Sequence, residues 1–377
     1  MNNRAGEYAE QLTGYHAFVP KKLPPFPSII YDDEMQELLS FADRKLGRLD
    51  GITEVLPNPD FFVAMYVRKE ALLSSQIEGT QASLIDVIDI EDENKGLDVE
   101  EVVNYVRAMN YGLLRLSELP LCLRLIREIH YELLASGRGS TKDPGNFRAS
   151  QNWIGPPGST LNTAIFVPPA VSDMIKAMND LEEYLYNKDP IPALIKIALV
   201  HAQFETIHPF LDGNGRVGRL LITFWLCQQK ILSRPLLYLS YYFKLNKSEY
   251  YDRLMAVREK GEWENWIKFF LRGIAIASDE SIESAKEIIN LRTELSGFLY
   301  SQKNTSGNHQ RLLDLIFEYP VINISFASRH LNISHPTATK IIEAFEKNNI
   351  LNDITPKKIR NKRYIFKKYY TILERGT

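Results

Sequence analysis

Two cysteines in 377 residues are too few for a disulfide framework. Cys122 and Cys227 also fall in no C-x-x-C or metal-ligand spacing, so thiol redox chemistry and a structural zinc site are excluded. A reducing compartment is the expectation. No apolar run is long enough to span a bilayer, and the first residues lack the apolar core of a secretory signal. The expected location is therefore cytoplasmic, with no membrane partner. An excess of one charge is missing too. Against 47 Asp and Glu stand 45 Lys and Arg, a net charge of −2, which argues against a globally basic nucleic-acid binder. No internal repeat stands out. The apolar content of 45% is enough for a substantial core and two or three domains.

The most informative stretch present is His208-Pro209-Phe210-Leu211-Asp212-Gly213-Asn214-Gly215-Arg216-Val217-Gly218-Arg219. Before it, Leu194, Ile197, Ala198, Val200, His201 and Phe204 recur at helical spacing. After it, Val217, Leu220, Leu221, Phe224 and Leu226 resume that spacing from Arg216 to Gln229. Pro209 and the Gly-Asn-Gly run interrupt the pattern. The local expectation is helix, tight loop, helix. Gly213 and Gly215 permit a turn whose N–H groups converge on an anion, and the helix that follows adds its positive end. Arg216 and Arg219, one turn apart, present guanidinium forks suited to phosphate oxygens. Asp212 is a hard oxygen donor of the kind Mg²⁺ uses beside phosphates. His208 can accept a proton near neutral pH.

The stretch resembles the signature of the Fic (filamentation-induced-by-cAMP) family, with every fixed position matched. The resemblance implies transfer of AMP from ATP to a Ser, Thr or Tyr hydroxyl of a protein, with Mg²⁺ as cofactor and pyrophosphate released. It implies His208 as the general base, Asp212 as the Mg²⁺ ligand, and Asp212, Gly213, Asn214, Gly215, Arg216, Val217, Gly218 and Arg219 as the ATP-binding run. Tyr250 and Tyr251 are similar in position to a tyrosine pair that lines the adenine pocket in relatives.

Upstream, Asn58-Pro59-Asp60 reads as a helix start, with Asn58 as N-cap and Pro59 at the first position. Phe62, Met65, Leu72 and Leu73 continue it, and Gly79 reads as the stop. Glu78 is expected in the last turn, where an anion opposes the helix dipole. Ser74, Glu78 and Gly79 resemble the Fic inhibitory motif. The resemblance implies that Glu78 pairs with Arg219 and blocks the seat of the ATP γ-phosphate, within one chain. Between these features, Asn146 to Gly155 and Ala164 to Pro169 flank Pro156-Pro157-Gly158 and predict a β-hairpin. It is similar to the Fic flap that holds the target segment, with Ile154, Gly155 and Phe166 as its contacts.

The expected fold is mainly α: a Fic-type helical core with a β-hairpin flap, plus a small C-terminal winged helix-turn-helix domain. Residues 1–120 hold an extended arm and a helical region with the inhibitory motif. Residues 121–275 form the catalytic core, 276–300 a linking helix, and 301–377 the last domain. That last part carries 13 Lys and Arg against 6 Asp and Glu, an asymmetry that suggests a separate module. Helices are expected over 325–331 and 336–347, then two short strands within 350–366 around a basic run. DNA is the partner such a module admits, through Thr337, Thr339 and Lys340 in a groove and Lys357, Lys358, Lys362 and Arg363 on phosphates. Glu343 and Glu346 on the second helix oppose that reading.

The leading expectation is an autoinhibited protein adenylyltransferase, with itself among the targets it admits. The alternatives are a Fic enzyme using another donor or removing AMP, and a DNA-binding regulator with a nucleotide-sensing Fic core. A homodimer is an expectation from relatives alone.

Overall fold

The computed structural model describes residues 3–53, 59–89, 96–302, 306–358 and 361–377. The chain opens with an antiparallel pair, β1 (Gly6–Glu10) and β2 (His16–Pro20), so the expected extended arm is a hairpin. Helices follow: α1 (Asp33–Ile52), α2 (Pro59–Ile77), α3 (Leu84–Ile88), α4 (Leu97–Arg115) and α5 (Leu123–Leu133). After a long loop come α6 (Val171–Tyr186), α7 (Ala193–Ile207), α8 (Asn214–Gln228), α9 (Ser240–Leu245) and α10 (Lys247–Lys260). The helix α11 (Trp263–Ser301) runs unbroken for 39 residues. The expected boundary at 275/276 therefore lies inside one helix and is not a break in the backbone. Asn58, expected as the N-cap of α2, lies outside the described residues.

The last part comprises α12 (Gly307–Glu318), β3 (Val321–Asn323), α13 (Ile324–Leu331), α14 (His335–Lys347), β4 (Asn352–Asp353), β5 (Arg363–Ile365) and α15 (Lys367–Glu374). Its antiparallel strands lie in the order β3-β5-β4. Both expected helices are present within a residue. Ser334 caps α14 by accepting from the Thr337 N–H, and Pro336 occupies its first turn. This part is tied to the rest of the chain. Arg363 reaches Asp89 at 2.6 Å and Arg375 reaches Glu287 at 2.5 Å.

Burial explains the centre of the fold. α7 is mostly apolar and enclosed on all sides: every residue from Leu194 to Ile207 is buried, the polar Lys196, His201, Gln203 and Glu205 among them, as a helix at the centre of the core must be. Two tryptophans fix it: Trp266 on α11 donates to the Ala198 carbonyl at 2.8 Å, and Trp225 on α8 donates to Ala193 at 3.1 Å. α7 and α8 pack as the pair that the motif loop joins. α1 lies along α11 on the outside, and α2 packs on α4, α8 and α9. No helix among the described residues is long and apolar enough to cross a membrane.

α4 approaches α8 closely at Gly112, where a methyl group would meet the Phe224 ring, itself fully buried. Gly112→Ala is therefore expected to lower stability by about 1–3 kcal/mol through overpacking. An unchanged midpoint in thermal unfolding would show that the two helices do not close on each other there.

Candidate active site

The motif loop is held by its own side chains. His208 ends α7 in the left-handed conformation (φ 51°, ψ 60°), and its N–H donates to the Phe204 carbonyl at 2.9 Å. A non-glycine residue is rarely found there, so the surroundings must fix it. The His208 carbonyl accepts from Arg148 Nε at 3.1 Å and from Asn152 Nδ2 at 3.3 Å. The Arg148 side chain is buried and also donates to the carbonyls of Ser150 and Pro169, at 3.1 and 2.5 Å. Next in the chain, Phe210 is fully buried and stacks on His130, with centroids 3.7 Å apart. His130 Nδ1 accepts the Gly145 N–H at 2.8 Å, which assigns the proton to Nε2, 3.0 Å from the Asp212 carbonyl. Neither His130 nor Arg148 is singled out by the sequence reading. Each lies far from the motif in the chain and in no short pattern.

Gly213 takes φ 77° and starts α8 at Asn214, two residues before the resumed periodicity. Asn214 is committed to the loop: its Oδ1 accepts the Phe210 N–H at 2.9 Å and its Nδ2 donates to the Phe210 carbonyl at 2.8 Å. One Nδ2 proton is spent in this way, and the amide's second N–H has no bond to the loop. The first-turn N–H groups of α8 remain for an anion. Val217 is core.

Arg216 is 4% exposed, and its Nε and Nη1 are buried without a hydrogen-bond partner. Its Nη2 lies 3.4 Å from Asp212 Oδ1. Two orphaned guanidinium donors beside a helix N-terminus are a seat for an oxyanion. Asp212 Oδ1 also accepts the Gly213 N–H at 2.6 Å, and Oδ2 faces Gly139. No group of three or more metal-ligating side chains occurs among the described residues. One carboxylate beside a phosphate seat fits Mg²⁺, which keeps waters and takes substrate oxygens.

Arg219 is 2% exposed, and two of its three guanidinium nitrogens are engaged. Its Nε donates to Ser74 Oγ at 2.8 Å, and its Nη2 donates to the Ser74 carbonyl at 3.0 Å and to Glu78 Oε1 at 2.7 Å. Burial pushes the Glu78 carboxyl up, but the charge and hydrogen bond of Arg219 overcome it, and the net shift is down. Glu78 lies one residue beyond α2 rather than in its last turn, and Gly79 follows at φ 104°. The Glu78 carboxylate rests against Gly215, leaving no room there for a methyl group.

Burial, with Arg258 and Arg148 nearby, lowers the pKa of His208 to about 3. Its Nδ1 is buried without a partner. The imidazole is therefore neutral and able to accept a proton. Arg258 itself donates to Thr206 Oγ1 and the Glu205 carbonyl and lies 4.2 Å from the Phe166 ring centre.

The expected hairpin is reduced to one antiparallel pair, Ile154 with Phe166. Pro156 and Pro168 follow closely on the two runs and remove the N–H groups a longer ladder needs. The Phe166 side chain is buried, so the expected contact through it is corrected. The Val167 carbonyl is taken by the Phe18 N–H of β2 at 2.9 Å. Ile154 spends both its N–H and its carbonyl on Phe166, at 2.8 and 3.1 Å, so the edge left for pairing is at Gly155 beside it.

Tyr250 is 1% exposed and stacks on Phe243, and its hydroxyl donates to His201 Nε2 at 2.9 Å, because His201 Nδ1 gives its proton to the Gly218 carbonyl. It backs the site and does not line an open pocket, which corrects the expected pairing with Tyr251 as an adenine wall. Tyr251 is 40% exposed and lies within the fields of Glu78 and Arg219. A separate groove of about 760 Å³, lined by Arg124, Arg127, Tyr131 and Phe147 among others, contains no motif residue.

Residues 36–114 match the Fic/DOC family N-terminal model, and residues 120–226 match the Fic/DOC family model. The chain belongs to the Fic/DOC family. It is 34% identical over 135 residues to a Protein adenylyltransferase Fic of Nematostella vectensis, covering 35% of this chain and 28% of that protein. To the Aedes aegypti protein of the same name it is 28% identical over 201 residues, covering 53% and 35%. The chain thus spans about a third of the length of these curated relatives. The fold is that of a Fic family protein from Desulfovibrio desulfuricans, with a TM-score of 0.60 at 19% identity over 90% of this chain and 97% of that one. A Fic domain containing signaling protein from Bacteroides thetaiotaomicron aligns over 67% of this chain and 97% of its own, with a TM-score of 0.50 at 18% identity.

Three histidines frame this Fic site. Burial lowers His130 to about 4, and His201 and His208 to about 3. A folded value below the free imidazole means that the unfolded chain binds the proton first. The stability these groups allow is present above the free value near 6.5 and is lost as pH falls. Their ring nitrogens are expected to show no titration in ¹⁵N NMR from about pH 8 to about pH 5. A His208 midpoint near 6.5 would show an imidazole open to water.

Proposed function

We propose that this Fic/DOC protein is an autoinhibited, Mg²⁺-dependent protein adenylyltransferase. Arg216, with two orphaned donors in a buried oxyanion seat, is the observation that carries the reading. The names of the curated relatives support the reaction class. In the reaction, a Ser, Thr or Tyr hydroxyl of a target protein attacks the α-phosphorus of ATP. The new O–P bond forms as the bond to the β-phosphate oxygen breaks, pyrophosphate leaves, and His208 takes the hydroxyl proton. Polyphosphate beside the imidazole would raise its basicity from the low value that burial sets. The first turn of α8 and Arg216 bind the phosphates. Asp212 would hold Mg²⁺, which neutralises developing phosphate charge when bound. The contribution of this chain is mainly positioning and charge neutralisation. The backbone edge at Gly155, next to the Ile154–Phe166 pair, would hold the target segment beside His208.

Autoinhibition rests on the Glu78–Arg219 ion pair. With Nε and Nη2 of Arg219 on Ser74 and Glu78, and the Glu78 carboxylate lying against Gly215, a γ-phosphate would have to displace Glu78 to reach the guanidinium. Transfer then requires Glu78 to leave.

The regulator alternative draws less support. Of the four basic residues assigned to DNA, Lys362 pairs with Asp353 at 2.8 Å and Arg363 with Asp89 at 2.6 Å. Thr339 Oγ1 is turned back onto the His335 carbonyl at 2.9 Å. Lys357 and Lys358 alone give a short phosphate footprint.

Incubated with ATP and Mg²⁺, Glu78→Gly is expected to incorporate AMP roughly 5–150-fold faster than the parent protein, the range typical of one coupled contact. His208→Ala in the same background is expected to incorporate none. Intact mass reads both. Equal incorporation by the parent and Glu78→Gly would rule out the brake. A gain of phosphate alone would show another donor chemistry.

A further inference from the structure

A second carboxylate stands in the same site and takes no part in the chemistry above. Glu205 lies one turn before His208 on α7 and is 7% exposed. Its Oε1 is buried without a hydrogen-bond partner. Its side chain turns toward α8: a methyl group at Gly218 would lie 2.6 Å from Oε1. Gly218 adjoins Arg219, and the motif leaves its position free. Its smallness is not demanded by the phosphate loop, but it is demanded by Glu205. Gly215 and Gly218, one turn apart on α8, thus each make room for a carboxylate, Glu78 on one and Glu205 on the other.

A buried carboxylate with no donor is costly, and ordinary core positions avoid it. The groups that face Glu205 are Arg219 and the glycine surface of α8, Glu78 beyond the end of α2, Arg258, Tyr250 and Tyr251 on α10, and His201 on its own helix. The guanidinium of Arg258 donates to the backbone carbonyl of Glu205 at 2.9 Å. Burial pushes the carboxyl up to about 7, Arg219 draws it down, and Glu78 pushes it up again. When Glu78 departs, the anion opposing Glu205 and the partner holding Arg219 are lost together.

We propose that Glu205 is a positioning residue that takes over from Glu78 as the counter-ion of Arg219, and so keeps that guanidinium directed into the phosphate seat of the released enzyme. This rests on the reading that Glu78 is a removable brake. With the brake on, Arg219 is satisfied and Glu205 idles. With the brake off, the buried cation needs the second acid.

The test is a double-mutant cycle of Glu78→Gly and Glu205→Gln on the full chain, read by thermal unfolding and by ATP kinetics. In the parent protein, Glu205→Gln is expected to leave Tm unchanged or raise it, because an orphaned carboxylate is removed. In Glu78→Gly it is expected to lower Tm by several degrees, and to raise KM for ATP about tenfold with a smaller change in kcat. Glu205→Asp in that background should restore most of both. Equal Tm changes in the two backgrounds, or an unchanged KM, would overturn the proposal. Should Glu78→Gly transfer no AMP, the adenylyltransferase reading fails, while the comparison of Tm values still decides the place of Glu205.

Discussion

A fully buried guanidinium at Arg219 is the constraint on which the site depends. Its charge cannot be left unanswered in a low-dielectric interior. Ser74 and Glu78, from a helix well over a hundred residues earlier in the chain, supply the answer through three hydrogen bonds. That contact fixes where α2 meets α8 and places a carboxylate against Gly215. In the proposed reading the same contact keeps a γ-phosphate from Arg219, so that structural satisfaction and inhibition are one arrangement. Arg216 is the complement: buried to nearly the same degree, yet with two donors unmatched. Of two arginines one turn apart, one is held by Ser74 and Glu78 and the other keeps two donors unmatched.

The geometry of His208 depends on a different principle, that strained backbone persists only where its surroundings over-determine it. Arg148 and Asn152 hold its carbonyl, Asn214 clasps the peptide of Phe210, and His130 stacks beneath that ring. Each partner is buried or half-buried, so the turn is rigid before any substrate arrives. Burial also keeps the imidazole neutral. Preorganisation and protonation state thus follow from one packing arrangement, and neither needs the nucleotide to create it.

Much of this is legible in the chain. The helix expected from the spacing of Leu194 to Phe204 is Ala193–Ile207, and the loop and second helix follow where the glycines and the resumed apolar spacing put them. The pairing of Glu78 with Arg219 is expected from a six-residue resemblance and found at 2.7 Å. What is not legible depends on distant partners. Tyr250 reads as a ring free to stack on a base, but His201 and Phe243 enclose it. Asn214 reads as a phosphate ligand, and its additional clasp on the Phe210 peptide carries no signal in the sequence. The flap reads as a hairpin because β-branched and aromatic residues flank a turn, yet prolines at both runs limit it to one pair, and β2 covers the strand that holds Phe166. His130, Arg148 and Glu205 carry no signal in a single sequence, since a lone buried His, Arg or Glu has no pattern.

The position of Glu78 decides what kind of movement release demands. α2 is anchored by buried Met65, Tyr66, Leu72 and Leu73, and Tyr66 donates to the Ser281 carbonyl of α11 at 2.9 Å. Its last turn is held as well: Lys247 donates to the Ile77 carbonyl at 2.6 Å, and Lys244 bridges Gln76 and the Gly376 carbonyl at 2.7 and 3.3 Å. Pulling the whole helix away would expose several large apolar side chains, each worth about 1.5–3 kcal/mol of burial. Glu78 lies one residue past that anchored turn. Its side chain is 37% exposed, and beyond it Gly79, at a positive φ, has open space where a side chain would be. Turning one partly solvated carboxylate about a glycine breaks one ion pair and no core. A brake built this way can be strong in occupancy, because the acid is tethered beside its partner. It remains inexpensive to move, because the helix that presents it stays where it is.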